Sequence, residues 1–453
     1  MSIESLENAP VAVAERRSLA AADLHPSVTD PLLESMTFLN EITARYPRAI
    51  SFAPGRPYEG LFDTASITRQ ISAYTDYLRR DGLDERQIRT LLFQYGRTKG
   101  HIHHLVARTL ANDEAIVADP DAIVVTVGAQ EGMILVLRAL FGRPDDVLLV
   151  SSPCYIGMTG AARLLGVDVV PVPEAAGGVD PEAVREAARR VAASGRRVRA
   201  FYVVPDFANP SGASMPVEAR AELLRVAVDE DFLIIEDNPY GHFTGEQEPR
   251  PTLKALDRDA SVIYLGSFAK TVCPGPRVGY VVADQRVTHD DGVSLLADEL
   301  VKIKSMITVN TPAISQALIG GALVEAGCRL REAAAPMIEF YRRNLAIMCD
   351  ELARRFPSSG PMSWERPLGG FFAVLEVPFT ADEAALERSA RDYGVLWTPM
   401  SAFFPGGGGS RRLRLSCSYL EPGQIPEGID RLAAFIDDEI RSLHLQEGCF
   451  PNV

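Results

Sequence analysis

Short apolar runs alternate with longer amphipathic segments along the chain after about residue 120. The runs are rich in valine, isoleucine and leucine, as buried strands are, and seven can be delimited: Ile123 to Val127, Val147 to Val150, Val167 to Val172, Ala200 to Val204, Phe232 to Glu236, Val262 to Gly266 and Val278 to Val282. Between most of them, alanine, arginine, glutamate and leucine recur at helical spacing, as in Pro181 to Ser194 and Val217 to Glu230. This alternation predicts an α/β domain with a mostly parallel seven-stranded sheet and helices on both faces.

The pattern changes after about residue 330. A helical stretch from Ile338 to Phe356 precedes the apolar runs FFAVLEV, GVLWTP and RRLRLSCS, and a last helix is predicted near Ile429 to Leu443. Because 453 residues exceed what one core usually serves, we expect a large domain over residues 51–330 and a smaller α+β domain over residues 331–453. Residues 1–50 are predicted to form an arm, flexible to about residue 25, and a first helix that belongs with the small domain.

Composition and charge exclude several classes of protein. Hydrophobic residues make up 47% and charged residues 23%, as in ordinary globular domains. A net charge of -14 argues against a nucleic-acid partner, which needs a basic face. No run approaches the roughly 20 apolar residues of a membrane helix, and the N-terminus lacks the apolar core of a signal peptide. The six cysteines form no CxxC pair, which predicts reduced thiols and a cytoplasmic location.

His101, His103 and His104 are candidate metal ligands by residue type. One helix cannot comfortably aim these three positions at a single ion, and structural metal sites normally recruit ligands from several elements. We therefore expect no metal and a solvated helix face.

Segments with polar and charged side chains, or with glycine turns, follow several of the predicted strands. Val127 to Gly132 is a glycine-containing turn before a helix, whose free amides could hold a phosphate, although many such turns merely connect elements. Other strands end in segments that carry an asparagine, an aspartate, a tyrosine, a lysine and an arginine: Pro205 to Gly212, Glu236 to Tyr240, Gly266 to Thr271 and Pro274 to Gly279. Because ligands gather at the carboxyl ends of parallel strands, these side chains are expected on one rim.

The motifs NPSG, DNPY, SFAK and PGPRVG occur in this order along the chain. With that order and spacing, the sequence resembles the fold-type I, class I/II aminotransferases from about residue 50 to its C-terminus. The resemblance implies a pyridoxal phosphate cofactor, amino acid and 2-oxo acid substrates, and Lys270 as the residue that carries the cofactor as an imine and moves the substrate Cα proton. It implies that Asp237 pairs with the pyridine nitrogen, so that the ring can accept electrons. Local sequence alone also fits a turn lysine and a helix-capping aspartate.

The resemblance assigns further residues to the cofactor. Asn209 and Tyr240 would hydrogen-bond its O3′ atom, although Asn209 also fits a turn before proline. Tyr155 would stack on the pyridine ring, although tyrosines more often simply pack. The expected phosphate ligands are the guanidinium of Arg277, the hydroxyl of Ser267 and the amides of Gly128, Ala129 and Gln130.

Substrate binding and assembly follow from the same resemblance. Arg414 would clamp the substrate α-carboxylate, with Asn209 beside it, and Gly55 would leave room for the substrate. Tyr95 would reach the cofactor phosphate of a partner subunit, which predicts a homodimer. The chain departs from the family's motifs at two positions: relatives often have serine where this chain has Ala129 and Ala269.

Three alternatives stay open at this point. A lyase or an oxygen-using oxidase of the same fold shares the first proton abstraction, and a transcriptional regulator can carry an aminotransferase-like domain.

The segments Leu24 to Leu33 and Phe52 to Pro57 resemble enzymes that make nonproteinogenic amino acids for nonribosomal peptides. Within that group, a hydroxyphenylglycine-forming transaminase would want aromatic walls, whereas an enduracididine-forming one would want a carboxylate for the guanidino group.

Overall fold

The computed structural model describes residues 18–30, 32, 41–175, 177–245, 248–357 and 359–447. Its main sheet has eight strands, in the spatial order Ile123–Thr126, Gly279–Val282, Val262–Ser267, Leu233–Asp237, Arg197–Val203, Asp146–Ser152, Asp168–Ala175 and Gly178–Val179. The strand Gly279–Val282 runs antiparallel to both of its neighbours, and the central pairs are parallel. All seven predicted strands are present. The additional strand Gly178–Val179 has only two residues, too few to show a period.

Both faces of this sheet are covered. Val124 and Leu148 pack into one hydrophobic cluster, whereas their chain neighbours Val125 and Leu149 pack into clusters on the other face. This confirms the predicted layering. The helices of this part are Ala65–Arg80, Glu85–Phe93, His103–Glu114, Gly128–Leu140, Ile156–Leu165, Pro181–Ala193, Val217–Asp229, Leu253–Leu256, Leu296–Ile307 and Ala313–Glu325. A hairpin of Arg286–His289 and Gly292–Leu295 precedes the helix Leu296–Ile307.

The C-terminal part is an α+β unit with its own core. A four-stranded antiparallel sheet has the order Ser363–Trp364, Phe372–Glu376, Arg412–Ser416 and Thr398–Pro399. Its helices are Leu330–Ala333, Ala335–Arg355, Glu383–Arg388 and Gln424–Glu447. These bounds agree with the two long helices that the sequence predicts.

The chain enters this C-terminal core before it reaches the main sheet. Ile50–Ser51 pairs in parallel with Val395–Leu396, and Phe52 and Ala53 pack in the same hydrophobic cluster. We therefore propose that the large domain begins after Ala53, rather than at residue 51. Of the predicted arm, residues 1–17 lie outside the described part, as do Pro31 and Leu33 of the segment from Leu24 to Leu33. Residues 41–45 are helical.

The three histidines do not form the solvated face that the sequence predicts. The ring of His101 contacts Tyr74 Oη at 2.7 Å, and that of His104 contacts Tyr77 Oη at 3.1 Å. The two tyrosines lie on the helix Ala65–Arg80, whose packing the local sequence does not reveal. Burial lowers the pKa of His101 to about 4.

Among the described helices, none combines the length and apolar character that a membrane span requires. Within the same residues, histidine, cysteine, aspartate and glutamate side chains nowhere gather in threes at a spacing suited to a metal ion.

Candidate active site

A cavity of about 890 Å³ lies at the carboxyl end of the main sheet, where the C-terminal part meets it. Its walls bring together side chains that are far apart in sequence, and the predicted site residues among them are Gly55, Ala129, Gln130, Tyr155, Asn209, Asp237, Tyr240, Ser267, Lys270, Arg277 and Arg414. Gly128 lies directly behind this wall, because a Cβ atom there would sit 2.5 Å from Arg277 Nη2. Tyr95 is elsewhere, with 86% of its surface exposed.

Lys270 follows the strand Val262–Ser267 and projects toward the N-terminal segment. Its Nζ atom donates a hydrogen bond to the carbonyl of Gly55 at 2.5 Å. Burial and then the nearby guanidinium groups of Arg414 and Arg277 lower the pKa of Lys270 to about 8. The amine can therefore exist uncharged near neutral pH, as a nucleophile or a proton acceptor must.

Asp237 is the last residue of the central strand Leu233–Asp237 and is buried. Its Oδ2 atom accepts a hydrogen bond of 2.7 Å from the hydroxyl of Tyr202, on the neighbouring strand. Burial raises the pKa of Asp237 to about 6, and the bond from Tyr202 opposes that rise. A cationic ring nitrogen beside this carboxylate would give Asp237 a partner of opposite charge, in addition to the neutral hydroxyl of Tyr202.

Arg414 is fixed on several sides. Its Nη1 atom donates to Asn209 Oδ1 at 2.6 Å, and Nη2 donates to the Ala53 carbonyl at 2.7 Å. The guanidinium carbon lies 4.6 Å from the ring centroid of Phe372. That same ring touches Gly55, where a Cβ atom would come within 2.8 Å of it. A side chain at position 55 would therefore displace the ring that supports Arg414.

The opposite end of the cavity suits a phosphate. The helix Gly128–Leu140 points its N-terminal amides at this end, and Gly128 takes the positive φ of 71° that the turn requires. Arg277 is exposed beside it, and its guanidinium makes one long hydrogen bond of 3.5 Å, to the Pro274 carbonyl, within the described part of the chain. Ser267 Oγ accepts the Ala269 amide at 3.1 Å, which leaves its proton free to donate. A guanidinium, a hydroxyl and helix amides are the donors that bind phosphate.

Tyr240 and Tyr155 form part of the wall between the two ends. Tyr240 is buried, with its ring edge against Phe371 and Phe372. Tyr155 is half-buried and borders the cavity. Gln130 turns its amide away, donating to the Gly157 carbonyl at 2.8 Å, so its backbone rather than its side chain faces the phosphate end.

The family model for "Aminotransferase class I and II" matches residues 73–432 of this chain. The chain belongs to this family. A curated relative, (S)-3,5-dihydroxyphenylglycine transaminase from Amycolatopsis orientalis, is 50% identical over 93% of this chain and 96% of its own length. These matches bear out the resemblance that the motifs indicated.

Solved structures agree with this assignment. A kynurenine aminotransferase from Pyrococcus horikoshii, solved with PMP, is 26% identical and covers 97% of each chain with a TM-score of 0.77. The alpha-aminoadipate aminotransferase of Thermus thermophilus, complexed with N-(5′-phosphopyridoxyl)-L-leucine, is 28% identical, covers 93% of this chain and 100% of its own, and has a TM-score of 0.75. The aminotransferase described here thus depends on pyridoxal phosphate and transfers an amino group between an amino acid and a 2-oxo acid. The lyase, oxidase and regulator alternatives are not favoured.

Several residues around the site of this aminotransferase give little or no signal in the sequence. The apolar pattern places Tyr202 within a buried strand, and the one signal of a further role is that a tyrosine hydroxyl in a buried strand needs a hydrogen-bond partner. Glu131 lies within the predicted glycine turn, and its carboxylate accepts hydrogen bonds from the Val127 amide at 2.6 Å and from the buried Lys304 at 2.7 Å. The pairing with Lys304 has no local sequence signal.

Proposed function

We propose that this aminotransferase acts on an aryl amino acid of the 3,5-dihydroxyphenylglycine type and on the matching aryl 2-oxo acid. One observation favours an aryl over a guanidino side chain: within the described lining of the cavity, Asp237 is the sole carboxylate. A guanidino substrate would need a second one. The same lining offers aromatic surface from Tyr46, Tyr155, Tyr240, Phe403 and Tyr419. The identity to the dihydroxyphenylglycine transaminase supports the same choice.

The proposed roles are those that the family resemblance implies, and the position of these residues around one cavity supports them. Arg277, Ser267 and the amides of Gly128, Ala129 and Gln130 would hold the phosphate, and Asp237 would hold the protonated ring nitrogen, with Asn209 and Tyr240 at O3′ and Tyr155 against the ring. When bound, pyridoxal phosphate supplies an aldehyde for the substrate amine and an electron sink for the bond broken at Cα. Lys270 would attach the cofactor between turnovers.

The remaining side chains act on the substrate. Arg414, oriented by Asn209, would bind the α-carboxylate through two parallel hydrogen bonds. This contact would determine the face of Cα that is turned toward Lys270. With its pKa near 8, Lys270 can take the Cα proton and return it at the neighbouring carbon. Gly55 would let the substrate approach its bare backbone at the cavity wall, and it leaves room for the Phe372 ring that supports Arg414. Because Arg414 retains the carboxylate, the arrangement favours transamination over decarboxylation.

We further propose a homodimer in the cytoplasm. Phe93 and Tyr95 are 74% and 86% exposed, and Met306 is 84% exposed. Such bare apolar surface suits burial against a second copy, with Tyr95 directed to the partner's phosphate end. Sedimentation should give twice the chain mass, and Tyr95→Phe should weaken cofactor binding while leaving the dimer intact. A monomeric holoenzyme with full cofactor affinity would refute the dimer.

Single-turnover conversion tests the substrate proposal. The pyridoxal phosphate form is mixed with (S)-3,5-dihydroxyphenylglycine, (S)-4-hydroxyphenylglycine, enduracididine or L-arginine, and the change of the cofactor from aldehyde to amine is followed by absorbance. We expect the two aryl amino acids to react at least about tenfold more efficiently than the guanidino ones, because an unpaired buried cation costs more than 1.4 kcal/mol. Faster reaction of the guanidino compounds would overturn the aryl assignment.

A further inference from the structure

The cavity lining contains one more cationic side chain than the proposed reaction requires. Its described lining contains five charged side chains: Arg56, Asp237, Lys270, Arg277 and Arg414. Under the proposed function, four of them meet the ring nitrogen, the aldehyde, the phosphate and the α-carboxylate. Arg56 is left without a counterpart in either the cofactor or an aryl amino acid.

Arg56 is held at the cavity by its neighbours. The preceding residue, Gly55, accepts the hydrogen bond from Lys270, so only one peptide unit separates Arg56 from the reacting amine. Ser418 Oγ donates to the Arg56 carbonyl at 2.8 Å. The guanidinium carbon lies 4.2 Å from the ring centroid of Tyr419, which also lines the cavity. Both the backbone and the side chain are thus supported from the C-terminal part.

The guanidinium of Arg56 is available for a ligand. It forms no ion pair with a carboxylate in the described ranges of the chain. Glu59, three positions on, accepts a hydrogen bond from Tyr419 Oη at 3.1 Å, and Tyr58 donates to Glu421 at 2.7 Å. Glu59 and Glu421 are therefore bound by tyrosines, and the stacked guanidinium keeps its in-plane N–H groups free.

We propose that Arg56 binds the distal carboxylate of the amino acceptor and thereby selects 2-oxo acids that carry two carboxylates. This inference rests on the proposed function, because it takes Arg414 as the partner of the α-carboxylate. The two substrates of a transaminase occupy one cavity in turn, so one wall must serve an uncharged aryl group and a charged side chain. A guanidinium does both, since its face packs on an aromatic ring and its edge donates to a carboxylate.

The acceptor half-reaction tests this role by itself. The enzyme is loaded directly with pyridoxamine phosphate and mixed with 2-oxoglutarate or with 2-oxohexanoate, which has a similar length but no second carboxylate. Wild-type enzyme, Arg56→Gln and the matched control Arg258→Gln are compared. Arg258 is also exposed, but it does not line the cavity. In parallel, glutarate and hexanoate are titrated as non-reacting ligands of the pyridoxal phosphate form.

We expect Arg56→Gln to reduce the efficiency with 2-oxoglutarate about 10-fold, the lower range for a hydrogen bond to a charged group, because Arg56 is exposed. Its efficiency with 2-oxohexanoate should stay unchanged, its affinity for glutarate should fall by a similar factor, and Arg258→Gln should alter none of these. Equal losses with both oxo acids, or no preference in the wild type, would overturn the proposal. The aryl amino acid reacts in the other half-reaction. If it proves not to be a substrate, the comparison of 2-oxoglutarate with 2-oxohexanoate is therefore unaffected.

Discussion

The hydroxyl of Tyr202 donates a hydrogen bond of 2.7 Å to Asp237, and both residues are buried between the central strands of the main sheet. A hydrogen bond to the charged form of a carboxyl group favours that form. Burial works in the other direction and raises the pKa of Asp237 to about 6. Tyr202 therefore helps to keep Asp237 ionised, as it must be to pair with a protonated ring nitrogen.

Replacing Tyr202 should weaken cofactor binding in a pH-dependent way. Tyr202→Phe removes a stabilising bond from the carboxylate, so the pKa of Asp237 should rise above its present value of about 6. Below that pKa, the carboxyl group of Asp237 is protonated in the cofactor-free enzyme and must lose its proton before it can pair with the ring nitrogen. The affinity for the cofactor therefore falls as the pH falls. Because the Tyr202 bond is present with and without the cofactor, we expect little change in affinity at pH 8, where Asp237 is still mostly ionised, and a fall of about 10-fold at pH 6, where the variant's Asp237 is mostly protonated. Equilibrium titration with pyridoxal phosphate measures both.

A matched control exists for this substitution. Tyr393 also donates to an aspartate, Asp438, but it does not line the cavity. Tyr393→Phe should leave cofactor affinity unchanged at both pH values. If Tyr202→Phe weakens binding equally at the two pH values, the tyrosine does not act through the ionisation of Asp237.

Lys270→Ala should abolish transamination while the protein still folds and binds the cofactor. The substitution removes both the covalent attachment and the proton carrier, and loss of general acid–base catalysis alone costs about 100- to 10,000-fold in rate. Borohydride reduction should trap the cofactor on the wild-type chain but not on the variant, as mass spectrometry will show. Lys302→Ala is the control, since Lys302 pairs with Glu299 and does not line the cavity. Parental turnover by Lys270→Ala would refute the assignment of the lysine.

The strands could be predicted from the sequence because they depend on local pattern, and the polar segments that follow them contribute side chains to one cavity. A buried strand needs a run of apolar residues, and a strand end that handles a cofactor needs polar residues at set positions. Asp237 and Lys270 could be proposed as site residues without a structure because they lie in motifs that resemble those of the family. Tyr202 could not be connected to Asp237, because its partner lies 35 positions away on another strand. Arg56 gave no signal either, since its significance depends on which other charges share the cavity.

Arg414→Lys should act on substrate binding more than on the fold. A lysine keeps the charge but cannot form two parallel bonds to a carboxylate or satisfy Asn209 and the Ala53 carbonyl at once. We expect kcat/KM for the amino donor to fall about 10- to 100-fold, the range for losing one charged hydrogen bond. Arg412→Lys, on the same strand but paired with Glu376 and not part of the cavity lining, is the control. Equal losses in the two variants would contradict the role given to Arg414.

Glu131 and Lys304 form a buried ion pair behind the phosphate end of the cavity. Lys304 Nζ lies 2.7 Å from Glu131 Oε2, their side chains are 0% and 6% exposed, and Thr308 donates to the other carboxylate oxygen at 2.6 Å. The carboxylate also accepts the Val127 amide, which positions the turn that begins the helix Gly128–Leu140. A negative charge so close to a phosphate is tolerable only while the lysine neutralises it.

Removing only the lysine should therefore be worse than removing both charges. Lys304→Met leaves an uncompensated buried carboxylate, which should cost about 3–5 kcal/mol of unfolding free energy and weaken cofactor binding by electrostatic repulsion. In the double variant Glu131→Gln/Lys304→Met the amide side chain can still accept from Val127 while the repulsion is gone, so most of both losses should be recovered. Chemical denaturation and cofactor titration of the wild type, Glu131→Gln, Lys304→Met and the double variant give the two coupling energies. If the double variant binds the cofactor no better than Lys304→Met, the pair supports the turn by packing alone, and its charges do not govern the phosphate end.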